Sequence, residues 1–174
     1  WQSDLPIASI STGPVPGRVD VTYNHFLETS ELAVTGGHRV RYTYDRDGLV
    51  TRAADASSPT GPALQLTRAA LDGHVEQDVL GVVQTEYAVG VSAATPGYGD
   101  YLGSTVRANG ATVYASAYEH DALGRISEWT ETVEGSTRVQ RFEYDDGGRL
   151  VSVRDGQDAP IADYGYDLNG NRTS

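Results

Sequence analysis

Cysteine, methionine and lysine are all absent from the 174-residue chain. Without cysteine there is no disulfide framework, no thiol nucleophile and no Cys-containing zinc site, and the redox compartment cannot be read from thiols. No apolar run reaches the length of a membrane span, which argues against membrane insertion. Positive charge is scarce: 13 basic residues, all arginine, stand against 24 acidic ones, a formal net charge of −11. Such a surface repels nucleic-acid phosphates and anionic lipid rather than neutralising them. The length suits one modest domain or a stretch of a repeat array. A chain that starts at Trp1 and holds no methionine or signal-type segment is expected to be a piece of something larger, so a missing targeting signal says nothing of the parent's destination.

Glycine and tyrosine are plentiful, at 20 and 11 residues, against two phenylalanines. That balance points to turn-rich β structure with half-buried rings. Four segments align without gaps: Tyr42-Thr43-Tyr44-Asp45-Arg46-Asp47-Gly48, Tyr118-Glu119-His120-Asp121-Ala122-Leu123-Gly124, Phe142-Glu143-Tyr144-Asp145-Asp146-Gly147-Gly148 and Tyr164-Gly165-Tyr166-Asp167-Leu168-Asn169-Gly170. Each reads ring, any residue, ring, Asp, two residues, Gly. Weaker copies at Tyr23, Leu66 and Tyr87 extend the ladder to seven units. The second ring position then recurs every 21–24 residues, except for one step of 33 between Tyr87 and His120 that carries an insertion at 95–103. The repeat array is read as residues 18–174, after a lead-in strand and turn over 1–17.

Each unit predicts two strands and two turns. Phe142 and Tyr144 alternate with Glu143, and Leu150-Val151-Ser152-Val153 after the turn is β-branched and apolar. Asp45, Asp121, Asp145 and Asp167 are assigned as turn caps, because an Asp at the first turn position accepts hydrogen bonds from backbone N–H groups across the bend. Gly48, Gly124, Gly148 and Gly170 then take the positive φ that returns the chain as a strand. Tyr44, His120, Tyr144 and Tyr166 form the aromatic ladder. A second set of turns at Gly36-Gly37, Gly61-Pro62, Gly81, Asn109-Gly110, Gly135-Ser136 and Gly156 interleaves with the first. The outcome is an all-β chain of roughly fourteen strands in consecutive antiparallel hairpins, forming a curved or spiralling sheet. A helical turn is tolerated in one place, Thr67 to Val75.

Tyr44-Asp45, Tyr144-Asp145 and Tyr166-Asp167, followed by Gly124-Arg125-Ile126 and Gly148-Arg149-Leu150, resemble the YD-repeat, or RHS-repeat, family, and Tyr164 to Thr173 is close to its consensus. Members of that family wind many hairpins into a hollow β-shell, in bacterial RHS toxins, Tc-toxin cocoons and animal teneurins. The resemblance implies a bacterial or cell-surface setting, a secreted parent, and a piece of wall that encloses or displays another polypeptide such as a toxin domain. Leu49 and Asn171 depart from the family's usual Arg. Nothing in the chain matches the closing, self-cleaving segment of the toxin members.

No catalytic residue, metal site or cofactor is assigned. A carboxylate that returns in every clear unit serves a need of every unit, whereas a catalytic group is needed once. The histidines lack metal-ligand spacing, and neither Asp145-Asp146 nor Asp155 to Asp158 has an EF-hand arrangement. Arg125 and Arg149 are expected to pair with carboxylates or stack on neighbouring rings. The alternative reading is a carbohydrate- or protein-binding β-module, with Tyr98 and Tyr101 on the inserted loop as contact residues. The partners expected are the rest of the parent protein, an enclosed toxin domain and, through open sheet edges, a second copy of the chain.

Overall fold

The computed structural model describes residues 5–12, 14, 16–58, 60–90 and 99–174, which form fourteen β-strands and no helix. The chain divides into two compact units, residues 1–84 and 85–174. In the first unit β1 (Ala8–Ser11), β2 (Gly17–Tyr23), β3 (Thr29–Val34), β4 (Arg39–Tyr44), β5 (Val50–Asp55), β6 (Ala63–Arg68) and β7 (Val75–Leu80) follow one another. Each pairs antiparallel with the next. The boundary falls within β8 (Val83–Val89). In the second unit β9 (Tyr101–Ala108), β10 (Ala111–His120), β11 (Ile126–Val133), β12 (Ser136–Tyr144), β13 (Leu150–Asp155) and β14 (Pro160–Asp163) repeat the arrangement. Within each unit sequential hairpins join neighbouring strands directly, so no crossover is needed.

Period-two alternation gives each unit one face richer in apolar residues and one richer in polar ones, since directly opposed residues share a face. In the first unit Val21, Leu32 and Val40 oppose one another across three strands, and Tyr42, Ala53, Leu64 and Leu80 across four. In the second, Tyr118, Trp129 and Gln140 lie in one row and Phe142, Val153 and Ala162 in the next. The reverse faces carry ion pairs, and in the second unit one more, Glu131 with Arg138 at 2.9 Å, lies on the Trp129 face. Glu31 meets Arg41 at 3.1 Å and Arg39 at 3.6 Å, and Glu128 meets Arg141 at 2.9 Å.

Within each unit no second layer packs on either face among the described residues. Val153 is the one buried apolar residue among them, and Ser116 and Ser152 are the buried polar ones. Ordinarily a sheet that is apolar on one face covers it with another element. Here the rings and branched side chains of that face stay half-exposed.

Each hairpin instead relies on its turn. Asp145 N–H donates to the Arg149 carbonyl at 2.9 Å and Gly148 N–H to the Asp145 carbonyl at 2.9 Å, closing a four-residue turn that needs φ = 78° at Gly148. A Cβ at Gly148 would meet nothing nearer than Arg125 Nη1 at 3.7 Å, so the conformation, not crowding, demands glycine. Gly148→Val is therefore expected to destabilise the chain by about 1–3 kcal/mol. Asp146→Ala, at the exposed tip, is expected to change stability by less than about 0.5 kcal/mol. Denaturant midpoints check the ranking, and the reverse order would show that the turn is misplaced.

Candidate functional site

The residues that recur in every clear unit gather at one set of turns, here called the front turns. Asp45 Oδ1 accepts the N–H groups of Asp47 and Leu49, both at 2.9 Å. Asp121 Oδ1 accepts from Leu123 at 2.8 Å and Arg125 at 3.0 Å, and Asp167 Oδ1 from Asn169 at 2.9 Å and Asn171 at 2.8 Å. Asp145 Oδ1 accepts from Arg149 at 2.9 Å. Gly48, Gly124 and Gly170 take φ of 78°, 76° and 82° in the same place as Gly148. One carboxylate oxygen thus gathers the N–H groups that a tight bend leaves without strand partners.

The weaker units close the same way with other residues. Asn24 Oδ1 accepts from Phe26 at 2.9 Å and Glu28 at 3.0 Å, and Leu27 holds φ = 67° where the clear units have glycine. Asp155 builds the same turn at the opposite end of the hairpins, accepting from Gln157 and Ala159 while Asp158 sits at φ = 68°.

The structure moves two members of the ladder. In four front hairpins the register shifts immediately before the ring residue, at Thr22/Tyr23, Thr43/Tyr44, Glu119/His120 and Glu143/Tyr144. In the third unit that shift falls at Thr67/Arg68, and Ala69 N–H then donates to the His74 carbonyl at 2.9 Å. Arg68, not Leu66, is the ring equivalent. Gly73 N–H reaches the Ala69 carbonyl, one residue further back than in the clear units, which is the helix-like turn tolerated there. In the next unit Gly90 N–H donates to the Asp100 carbonyl at 3.0 Å and Gly99 N–H to the Gly90 carbonyl at 2.7 Å. The ring equivalent there is Val89, not Tyr87.

Successive front turns are joined sideways. The ring hydroxyl donates to the backbone carbonyl five residues beyond the preceding turn's cap, Asn24, Asp121 or Asp145: Tyr44 to Thr29 at 2.6 Å, Tyr144 to Ile126 and Tyr166 to Leu150 at 2.9 Å each. Arg68 Nε does the same to Val50 at 3.2 Å. His120 does not, and its Nδ1 is buried without a hydrogen-bond partner. In the second unit an arginine adds a further link. Arg125 Nε donates to Asp121 Oδ2 at 2.7 Å while its guanidinium lies 4.4 Å from the centroid of the Tyr144 ring. Arg149 repeats this with Asp145 at 2.7 Å and Tyr166 at 4.7 Å. Asn171 reaches Asp167 Oδ2 at 3.0 Å in the arginine's place.

Tyr98 lies outside the described residues. Tyr101 is exposed and packs its ring against Tyr118, with centroids 5.6 Å apart. Among the described residues no group of three or more His, Asp or Glu side chains has a geometry that could hold a metal. No helix there is long and apolar enough to cross a membrane.

A row of like hairpins, the clear turns capped by their own carboxylates and neighbouring turns tied by tyrosines at Tyr44, Tyr144 and Tyr166, is the wall of a β-hairpin repeat protein. The chain belongs to the teneurin YD-shell family, whose model matches residues 82–174. It is thus a structural β-shell segment of the YD/RHS-repeat kind. Among solved structures, the crystal structure of TcdB2–TccC3–TEV is similar over 90% of this chain, with a TM-score of 0.57 and 13% identity. The matched part is 10% of that chain, and at this identity the likeness bears on the fold alone. No curated protein sequence matches.

Hydrogen bonds and ion pairs at these turns depend on ionised carboxylates. The Arg125 side chain holds Asp121 below the usual carboxylate range; the Arg149 backbone N–H and side chain do so for Asp145, and the Asn171 side chain and N–H for Asp167. A carboxyl whose folded pKa is depressed stabilises the fold above its unfolded pKa of about 3.9, and that contribution is lost as pH falls through the folded value. Acidification below about pH 4 is therefore expected to lower the denaturant midpoint, with a shallower fall for Asp145→Asn than for the parent chain. Relief of the general repulsion of a −11 chain affects both proteins alike, so their difference isolates the turn. Equal slopes between pH 5 and 2 would contradict this assignment.

Proposed function

We propose that the chain is a non-enzymatic stretch of wall in a larger YD-repeat protein, its apolar face turned toward an enclosed polypeptide such as a toxin domain. The observation that carries this is the amphipathic single-layer sheet. In both units one face is the richer in apolar residues, and among the described residues Val153 alone is a buried apolar residue. A wall whose inner surface meets another chain needs no second layer of its own, and its outer, ion-paired face suits water. The recurring carboxylates accept backbone N–H groups, and those of Asp121 and Asp145 also hold arginines, which supports structural work for them over a converging catalytic set. The teneurin YD-shell family match, and the family resemblance to RHS and Tc toxins, support a secreted or cell-surface parent, of bacterial origin in the toxin case. The array is assigned to residues 18–174, with Asp45, Asp121, Asp145 and Asp167 as caps and Tyr44, His120, Tyr144 and Tyr166 as the ladder.

The cysteine-free sequence makes the test direct. Single cysteines replace Phe142 on the apolar face and Glu143 beside it on the polar face, in the assembled parent protein. Maleimide labelling at each site is read by mass spectrometry. The reading expects Phe142→Cys to be protected until the parent is unfolded and Glu143→Cys to react at once. Equal reactivity of the two sites in the assembled parent would overturn it.

A further inference from the structure

In a chain with 24 acidic and 13 basic residues, the polar face of the first unit inverts the balance. Register and alternation place Arg18, Arg39, Arg41 and Arg52 on that face with Asp20 and Glu31, four cations against two carboxylates. Both carboxylates are already engaged. Asp20 receives Arg18 at 2.7 Å, and Glu31 receives Arg41 at 3.1 Å and Arg39 at 3.6 Å.

Arg52 is left over. It is half-buried and has no hydrogen bond, ion pair or ring contact among the described residues. Every other arginine on a strand has a partner there: Arg68 the Val50 carbonyl, and Arg107, Arg138, Arg141 and Arg154 each a glutamate. A half-buried charge without a partner gives up hydration and recovers nothing for it. Beside Arg52 a cavity of about 170 Å³ opens, lined by Arg41, Arg52, Ala54, Asp55 and Ala56. Asp55 does not neutralise Arg52, since its carboxylate is held by His38 at 3.1 Å and by the Ser57 N–H at 2.8 Å.

We propose that this face docks an acidic segment of a partner polypeptide, with one Asp or Glu carboxylate seated in the cavity between Arg41 and Arg52. A planar carboxylate matches the fork of a guanidinium and can take two of its N–H groups at once. A phosphate dianion fits less well, because Glu31 and Asp55 flank the two arginines and repel two charges more than one. Charges further off than about 8 Å are screened at physiological ionic strength, so the local excess of arginine outweighs the net −11 for an approaching side chain. The face is the reverse of the one assigned to an enclosed polypeptide, so the proposal stands or falls independently of that reading.

The test titrates the 174-residue chain with the peptide acetyl-Gly-Glu-Gly amide, with acetyl-Gly-Gln-Gly amide as control, and follows backbone amide and arginine Nε resonances. The expected result is saturable shifts at Thr43, Arg52 and Ala54 with the glutamate peptide, weakening as salt is raised, and none with the glutamine peptide. Arg52→Gln should weaken binding about tenfold and leave the unfolding midpoint unchanged, because Arg52 has no polar partner in the chain to lose. Arg46→Gln, at an exposed turn tip, should leave binding as it was. Shifts that fail to saturate, that the glutamine peptide reproduces, that survive in Arg52→Gln, or that fall as much in Arg46→Gln would each overturn the proposal. Tighter binding of inorganic phosphate at the same residues would overturn it as well, by assigning the cavity to a free anion.

Discussion

One carboxylate or carboxamide oxygen accepting two backbone N–H groups across a four-residue bend is the interaction on which this architecture depends. A single-layer sheet has little interior to specify its register, and a one-residue slip would exchange the faces of every strand. The bend prevents this. With Asp Oδ1 fixed on the N–H groups two and four residues ahead, as at Asp45, Asp121 and Asp167, the two strands leave the turn in one alignment. The adjacent register shift at the ring residue then aims its hydroxyl at the neighbouring hairpin. Face, register and lateral contact all descend from the same few atoms.

The two units use this frame differently. The second adds an arginine that joins its own cap to the next ring, so that Asp121, Arg125 and Tyr144 run into Asp145, Arg149 and Tyr166 as one line of contacts. The first unit substitutes within it. Asn24 Nδ2 donates to Glu28 Oε2 at 2.6 Å where the second unit has an Asp–Arg pair, and Arg68 takes over the carbonyl contact of a tyrosine. Polarity is exchanged but the hydrogen-bond geometry stays, because the backbone requires an acceptor at the cap and a donor at the ladder, not particular side chains.

This explains what the sequence displayed and what it hid. The clear front turns and the fourteen-strand meander were legible, since an Asp, a Gly and alternating rings encode a hairpin within seven residues. The ring equivalents of the weaker units were not. Leu66 and Arg68 lie two residues apart on one strand, as do Tyr87 and Val89, so a two-residue slip preserves the alternation and nothing local marks the error. The hydrogen bonds of the Ala69 and Gly90 turns mark it instead. Asn24 and Asp155 escaped notice as caps because Leu27 and Asp158 hold the positive φ usually reserved for glycine. The contact of Arg125 with Tyr144 joins residues of different repeats and becomes visible once the hairpins are side by side.

The central claim is that neighbouring hairpins of the second unit are coupled through their front turns and not merely strung together. A double-mutant cycle on Arg125→Gln and Tyr144→Leu, read from denaturant unfolding of the single and double variants, measures that coupling directly. The account predicts an interaction energy above about 0.5 kcal/mol, the scale of an exposed cation–π contact. Effects that add to within about 0.3 kcal/mol would contradict it, leaving each turn as an independent cap with no sideways role.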